Sequence, residues 1–281
     1  MTTASIVGDR VRDLFYRYDR EMPLEPEAHV VAEEHGVRST HFVISSTHGQ
    51  RVAGLLWQPI DAAGPLPAIL MQHGAGSRKE DDYIRLPALR WAREGFACVA
   101  IDANDHGERQ TRPRDPQAIW QRPWTRRDHA VQMCVDLQRT VDYLATRPEI
   151  DPARLGFIGF SMGTLNGVSF VARDERVRAA VFCIGGANLS GFQTLPDDPP
   201  LIEEMRTVLA IVDPINFAAQ IAPRPVLCIN GRRDETVPLV AAQALFDALG
   251  EPKRIVWYDG GHTEMRGPEF KEAWQFLRET L

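Results

Sequence analysis

Only four cysteines occur in 281 residues, and no two of them share a C-x-x-C spacing. That excludes a disulfide framework and the common zinc patterns. Cys98, Cys183 and Cys228 sit in apolar strand-like runs and Cys134 in a helix-like run, so all four read as reduced, buried thiols. No run approaches the roughly 20 apolar residues of a membrane span, so no membrane partner is expected. The N-terminus, MTTASIVGDRVRDLFYRYDREMP, mixes charge throughout and lacks a continuous apolar core. It does not read as a signal peptide, and a cytoplasmic protein is expected. Basic residues are outnumbered, 32 Lys and Arg against 38 Asp and Glu, for a formal net charge of -6. That balance argues against a nucleic-acid partner, which needs a basic face. Internal repeats and low-complexity tracts are also missing.

What is present is an ordinary globular composition, 44% hydrophobic and 25% charged, with length for one large α/β domain. The first part of the chain, to about residue 26, is amphipathic and reads as helical, and residues 1–39 are taken as a helical N-terminal extension. Val11, Leu14, Phe15 and Tyr18 share one face of that helix, which leaves open packing on the body or a homodimer contact. The main domain is read as residues 40–281. Residues 40–46 and 51–58 alternate and pair around the turn THGQ. Apolar strands at 67–74, 96–102, 154–160, 178–186, 225–231 and 253–258 then alternate with helical patterns at 81–94, 128–146, 162–172, 239–250 and 268–280. Eight short strands, mostly apolar throughout, predict a mostly parallel, doubly wound sheet with helices on both faces. Residues 103–127 and 187–216 break the rhythm, and long irregular segments of this kind serve as lids or binding loops.

The stretch RLGFIGFSMGTLNG places Ser161 between Gly159 and Gly163, where a strand turns sharply into a helix. The carboxyl edge of such a sheet is where open α/β folds bind ligands. A tight turn there needs the flanking Cβ atoms removed, and the helix beginning at Met162 presents free N–H groups. A serine hydroxyl needs a base, and the base an acid to orient it. Asp234 follows the strand PVLCING and His262 follows KRIVWY, so both loops leave the serine's edge of the sheet. Glu235 is the alternative acid, while Asp259 reads as a turn residue. The oxyanion of an acyl intermediate needs two backbone N–H donors. Met162 supplies one, and the loop His73-Gly74-Ala75-Gly76 the other, from Ala75 with Gly76 as the alternative.

In this order, HGAG, GFSMG, GRRDETVP and GGH resemble the α/β-hydrolase superfamily over about residues 50–281. The segment from Asp102 to Gly107 is similar to the superfamily's D-x-x-G-H-G, with Asp105 where glycine is common. Within the superfamily the chain most resembles the dienelactone-hydrolase-related and prolyl-oligopeptidase-like esterases. The resemblance implies the α/β-hydrolase fold with a small lid insertion, and a cofactor-free hydrolase acting on a small-molecule ester or similar acyl compound. The leading expectation is a serine carboxylesterase for small or medium substrates, with an acyl-enzyme on Ser161. Dienelactone hydrolases proper carry Cys where this chain has Ser161.

Three side chains are expected against substrate: His73 at the head of the HGAG loop, and Trp120 and Trp124 in the Arg-rich segment 103–127. The two indoles would form a pocket wall for an aromatic acid, with Arg109, Arg112, Arg114, Arg122, Arg126 and Arg127 around them. His106, His129, Asp105 and Asp128 match no zinc spacing, and His106 reads as a buried, hydrogen-bonded histidine. Asp213-Pro214 reads as a helix start. Two rival functions share these residues. One is a C–C bond hydrolase on the same triad, which a substrate panel separates. The other is a non-catalytic binding member of the fold, which would have no need of all four catalytic elements. A peptidase is a further reading, although the sequence shows no extra domain that would restrict peptide access.

Overall fold

Strands form where apolar runs can be buried on both faces at once. Leu66–Gln72 (β4), Ala97–Ile101 (β5) and Val226–Gly231 (β8) are buried at every position, as central parallel strands must be. The computed structural model describes residues 8–111, 123–191 and 198–281. The other strands are Glu27–Glu34 (β1), Val37–Ser45 (β2), Arg51–Pro59 (β3), Ile150–Phe160 (β6), Val177–Cys183 (β7) and Lys253–Tyr258 (β9). They form one sheet in the order β1-β2-β3-β5-β4-β6-β7-β8-β9. Pairings from β5 onward are parallel, and those among β1, β2, β3 and β5 antiparallel.

The helices are Asp9–Phe15 (α1), Asp82–Arg93 (α2), Pro123–Ala145 (α3), Met162–Arg173 (α4), Pro199–Val212 (α5), Leu239–Ala248 (α6) and Gly267–Thr280 (α7). Two apolar layers cover the sheet. Met133, Leu137, Val168 and Phe170 pack with Phe42, Leu56, Leu70 and Phe157 on one face. Ile84, Trp91, Trp274 and Leu277 pack with Ile69, Met71, Ile158 and Val181 on the other. The indoles of Trp91 and Trp274 stack at 5.4 Å and tie α2 to α7. Burying side chains of this size stabilises by about 1.5–3 kcal/mol each. All four cysteines are buried and free. Burial pushes the Cys134 and Cys228 thiols up to about 12, so neither offers a thiolate.

The sheet has nine strands among the described residues, one more than the sequence predicts. The extra strand, β1, lies inside the supposed helical extension, and residue 39 falls within β2. β1 was illegible because it is exposed on nearly every residue, Val30 and Val31 included, and so carries no alternating pattern. The docking face of α1 also differs. Val11, Leu14 and Phe15 stay exposed, while Arg12 and Tyr16 are buried. The Arg173 guanidinium lies 4.4 Å from the Tyr16 ring centroid, and Arg12 lies 5.6 Å from that of Phe217. Cation–π packing, not an aliphatic stripe, holds this helix. The long helix starts at Pro123 rather than 128, and the helix-like piece that the sequence offers within residues 187–216 is the regular helix Pro199–Val212. No described helix is long and apolar enough to cross a membrane.

Candidate active site

Ser161 follows β6 and caps α4 with φ 52° and ψ -114°, a conformation few L-residues adopt. Strain of about 1–3 kcal/mol is typical of such a backbone and persists only when the surroundings enforce it. Here they do. Ser161 N–H donates to Cys183 O at 3.0 Å, and Leu165 N–H to Ser161 O at 2.9 Å. The Thr164 hydroxyl bridges to Gly159 O and Cys183 O at 2.7 and 2.8 Å. The two flanking glycines are required by close approach. A Cβ on Gly159 would lie 2.6 Å from Gly163 O, and one on Gly163 would lie 2.2 Å from Gln72 O.

The hydroxyl meets its partners directly. Ser161 Oγ is 2.9 Å from His262 Nε2, and His262 Nδ1 is 2.7 Å from Asp234 Oδ2. The other carboxylate oxygen of Asp234 accepts from Thr236 and Val237 N–H at 2.9 and 2.8 Å. That leaves Asp234 buried and oriented, while Glu235 points to solvent. Asp259 instead pairs with Arg233 at 3.0 Å. The double glycine before His262 does not loosen its loop. Gly261 N–H donates to Glu264, Gly261 O accepts from the Tyr258 hydroxyl, and Arg233 N–H donates to Gly260 O across to the Asp234 loop. A Cβ on Gly260 would sit 2.8 Å from the Tyr258 ring. Compactness is what those glycines provide.

The N–H groups of Met162 and Ala75 have no protein acceptor among the described residues. Gly76, the alternative donor, is already used, since its N–H donates to His106 Nε2 at 3.2 Å. His106 is buried as the sequence suggests, with Nδ1–H donating to Asn104 O at 2.6 Å. His73 makes the reciprocal clasp. Its Nε2 accepts from Ala103 N–H at 3.1 Å, and its Nδ1–H donates to Gly74 O at 2.8 Å. The loop after β4 and the loop after β5 therefore each insert an imidazole that accepts from the other's backbone. This corrects the expectation that His73 touches substrate, because its ring is fully buried and consumed by the clasp.

Burial holds His73 well down, to about 4, with the neighbouring His106 acting in the same direction. An unfolded chain takes up that proton near 6.5. Between pH 6.5 and 4 the unfolded state therefore binds more protons, and stability falls as pH falls through that window. His73→Gln is expected to remove about 2 kcal/mol of the stability loss between pH 7 and pH 4.5, read as urea midpoints. An identical acid loss in wild type and variant would refute this.

Below the clasp, the Asp102 carboxylate is fully buried and accepts from Lys79 Nζ at 2.7 Å, Lys79 N–H at 3.0 Å and Glu108 N–H at 3.0 Å. A Cβ on Gly107 would lie 2.3 Å from that carboxylate. Lys79 also pairs with Glu108, and Arg109 with the buried Asp136 at 2.7 Å. Arg109 thus braces the loop, its guanidinium donating to Asp102 O, Asp136 and Gln50. Asp105, where the resembling superfamily has glycine, takes φ 54°, a left-handed conformation that aspartate tolerates. Asp213 caps Ile215 N–H as expected and also accepts from Asn188 and Leu189 N–H.

Above Ser161 opens a cavity of about 300 Å³, lined on its apolar side by Tyr83, Phe160, Ile184, Met265 and Phe270. None of these was singled out by sequence. Tyr83 has a polar role as well, since its hydroxyl accepts from Gly74 N–H at 2.9 Å. Trp124 lies on the first turn of α3, is 43% exposed and does not line this cavity. Trp120, Arg112, Arg114 and Arg122 lie outside the described residues, as do parts of both supposed lid segments.

With this geometry in view, comparison with known proteins decides the family. The dienelactone hydrolase family matches residues 52–263, more than half of the chain. The chain belongs to the dienelactone hydrolase family. Among relatives, it is 27% identical to the esterase YjfP of Escherichia coli over 243 residues, covering 77% of this chain and 90% of that protein. It is 27% identical over 134 residues to the E. coli protein YfhR, covering 46% of this chain and 45% of the relative, so it spans about half of that protein's length. In structure it is similar to acetyl xylan esterase 1 of Thermoanaerobacterium sp. JW/SL YS485, with TM-score 0.83 at 21% identity, covering 97% of this chain and 93% of that one. At that identity the likeness establishes the α/β-hydrolase fold.

Proposed function

We propose that this member of the dienelactone hydrolase family is a serine hydrolase that cleaves carboxylic esters of small substrates through an acyl-enzyme on Ser161. One observation carries the reading: an unbroken hydrogen-bonded chain Ser161–His262–Asp234, at 2.9 and 2.7 Å, beside two unused N–H groups. The cavity of about 300 Å³ sits at the lower end of the ~300–1,000 Å³ of ligand pockets and favours a small acyl compound. The esterase relative YjfP points to the same bond type.

His262 Nε2 takes the proton as Ser161 Oγ attacks the acyl carbon. The Nδ1–H bond to Asp234 keeps the acceptor nitrogen facing the serine and stabilises the imidazolium that forms. The N–H groups of Met162 and Ala75 hold the oxyanion. His262 returns its proton to the leaving alcohol. It then deprotonates a water, which hydrolyses the acyl-enzyme and restores Ser161. Cys is replaced by Ser at this position, so activation depends on the neutral imidazole and not on a lowered thiol pKa.

Fluorophosphonate labelling of the pure protein, with peptide mapping, tests the reading. A single adduct on Ser161 is expected, since attack at phosphorus needs both an activated hydroxyl and a formed oxyanion site. A folded protein that takes no label, or takes it elsewhere, rejects the serine mechanism.

A further inference from the structure

A second cavity of about 350 Å³ lies between α2 and α7, lined among others by Leu86, Pro87, Trp91 and Trp274. Two residues line both this groove and the cavity over Ser161: Tyr83 and Phe270. They form the wall between the two spaces. Tyr83 packs edge-on against Phe160 at 5.3 Å, and Phe270 lies 5.8 Å from the same ring. Both are held from behind. The Tyr83 hydroxyl accepts from Gly74 N–H. Phe270 sits on the first turn of α7, whose start is locked by a reciprocal cap, Arg266 N–H donating to Glu269 at 2.8 Å.

We infer that the Tyr83–Phe270 wall ends the acyl pocket, so that this site takes short acyl esters, and that Phe270 is the residue that sets the chain-length limit. The inference rests on the esterase reading above. The acyl half is the one concerned, because the leaving alcohol must lie beside His262 Nε2, next to the exposed Thr263. The acyl chain is the half assigned to the apolar lining, which the wall closes beside Phe160. A Cβ built on Gly74 would be 3.4 Å from Ser161 Cβ and 3.8 Å from the Tyr83 hydroxyl, so the Tyr83 end of the wall stands near the nucleophile. Phe270 is half-buried and ends in open space on its far side, where Leu86 is 52% exposed. Removing its ring would join the two cavities and give a long acyl chain an apolar path over the Trp91–Trp274 stack.

The test is kcat/KM for p-nitrophenyl acetate, butyrate, octanoate and decanoate with wild type, Phe270→Ala, Phe270→Leu and Phe270→Ala/Leu86→Glu. The wild type should prefer butyrate over decanoate by about 100-fold or more, since even two methylenes that do not fit cost about tenfold each. Phe270→Ala should raise the decanoate-to-acetate ratio of kcat/KM at least about tenfold. Phe270→Leu should fall between, and keeps the inference testable if the alanine variant folds poorly. Adding Leu86→Glu, which touches only the outer groove, should cancel the gain on decanoate. Wild-type turnover with an unchanged chain-length profile in both Phe270 variants overturns the inference alone. So does a gain shared equally by acetate, or one that survives Leu86→Glu. Failure of the wild type to cleave any of the esters takes down the esterase reading and this inference with it.

Discussion

Ser161→Ala is expected to lower kcat by roughly 10⁴-fold or more with unchanged folding. In the proposed mechanism the hydroxyl oxygen bonds to the acyl carbon, and no other hydroxyl lies within hydrogen-bond reach of His262 among the described residues. The alanine variant keeps the oxyanion donors and the cavity, so KM for a short ester should move little. Asp234→Asn offers the matched comparison. It keeps the shape but offers N–H where Nδ1–H now donates, so the ring is held in the wrong tautomer and the loss should approach the same size. Steady-state kinetics on p-nitrophenyl butyrate, beside thermal unfolding of each variant, decide the matter. Retention of near-full activity by Ser161→Ala would remove the acyl-enzyme scheme altogether.

The second large effect is expected at Gly163, and its cause is packing rather than chemistry. A Cβ there meets the backbone oxygen of Gln72 at 2.2 Å and the carbonyl carbon at 2.8 Å. Neither is the end of a flexible side chain, so α4 must move away from the end of β4. Gly163→Ala should cost about 3 kcal/mol, at the upper end of overpacking penalties. The displaced helix start carries Met162 N–H and the strained Ser161, so labelling by fluorophosphonate should slow along with the loss of stability. Gly64→Ala is the control, because nothing lies within 4 Å of its Cβ position. It should stay within about 0.5 kcal/mol of wild type. Equal urea midpoints for the two variants would show that the close approach is relieved without cost.

Much of the site was legible because each of its members follows directly on a strand. Ser161, Asp234 and His262 come after β6, β8 and β9, three parallel strands whose ends share an edge, so chain order alone brings them together. The proposed oxyanion donors Ala75 and Met162 follow β4 and β6 by the same logic. What escaped notice lacks a local signal. Tyr83 and Phe270 are ordinary apolar positions on amphipathic helices, and only the meeting of α2 with α7 turns them into a wall. Thr164 reads as a helix residue until its hydroxyl is found bridging two strands. His73 was misread because a histidine in a glycine-rich loop has the same local sequence whether it faces substrate or a neighbouring loop.

By itself, the sequence marked Ser161, His262 and Asp234 as the proposed nucleophile, base and acid and predicted the parallel layout that places them at one edge. Those depend on strand-end position and on the chemistry that each residue type carries. Tertiary structure decided which groups were left free to act. Gly76 N–H is withdrawn by His106 while Ala75 N–H stays open, Asp234 rather than Glu235 turns inward, and β1 joins the sheet without an apolar face of its own. Each of these outcomes is a competition between chemically equivalent groups. Only the placement of distant segments against one another, through close-packed backbone and buried hydrogen bonds, resolves such a competition.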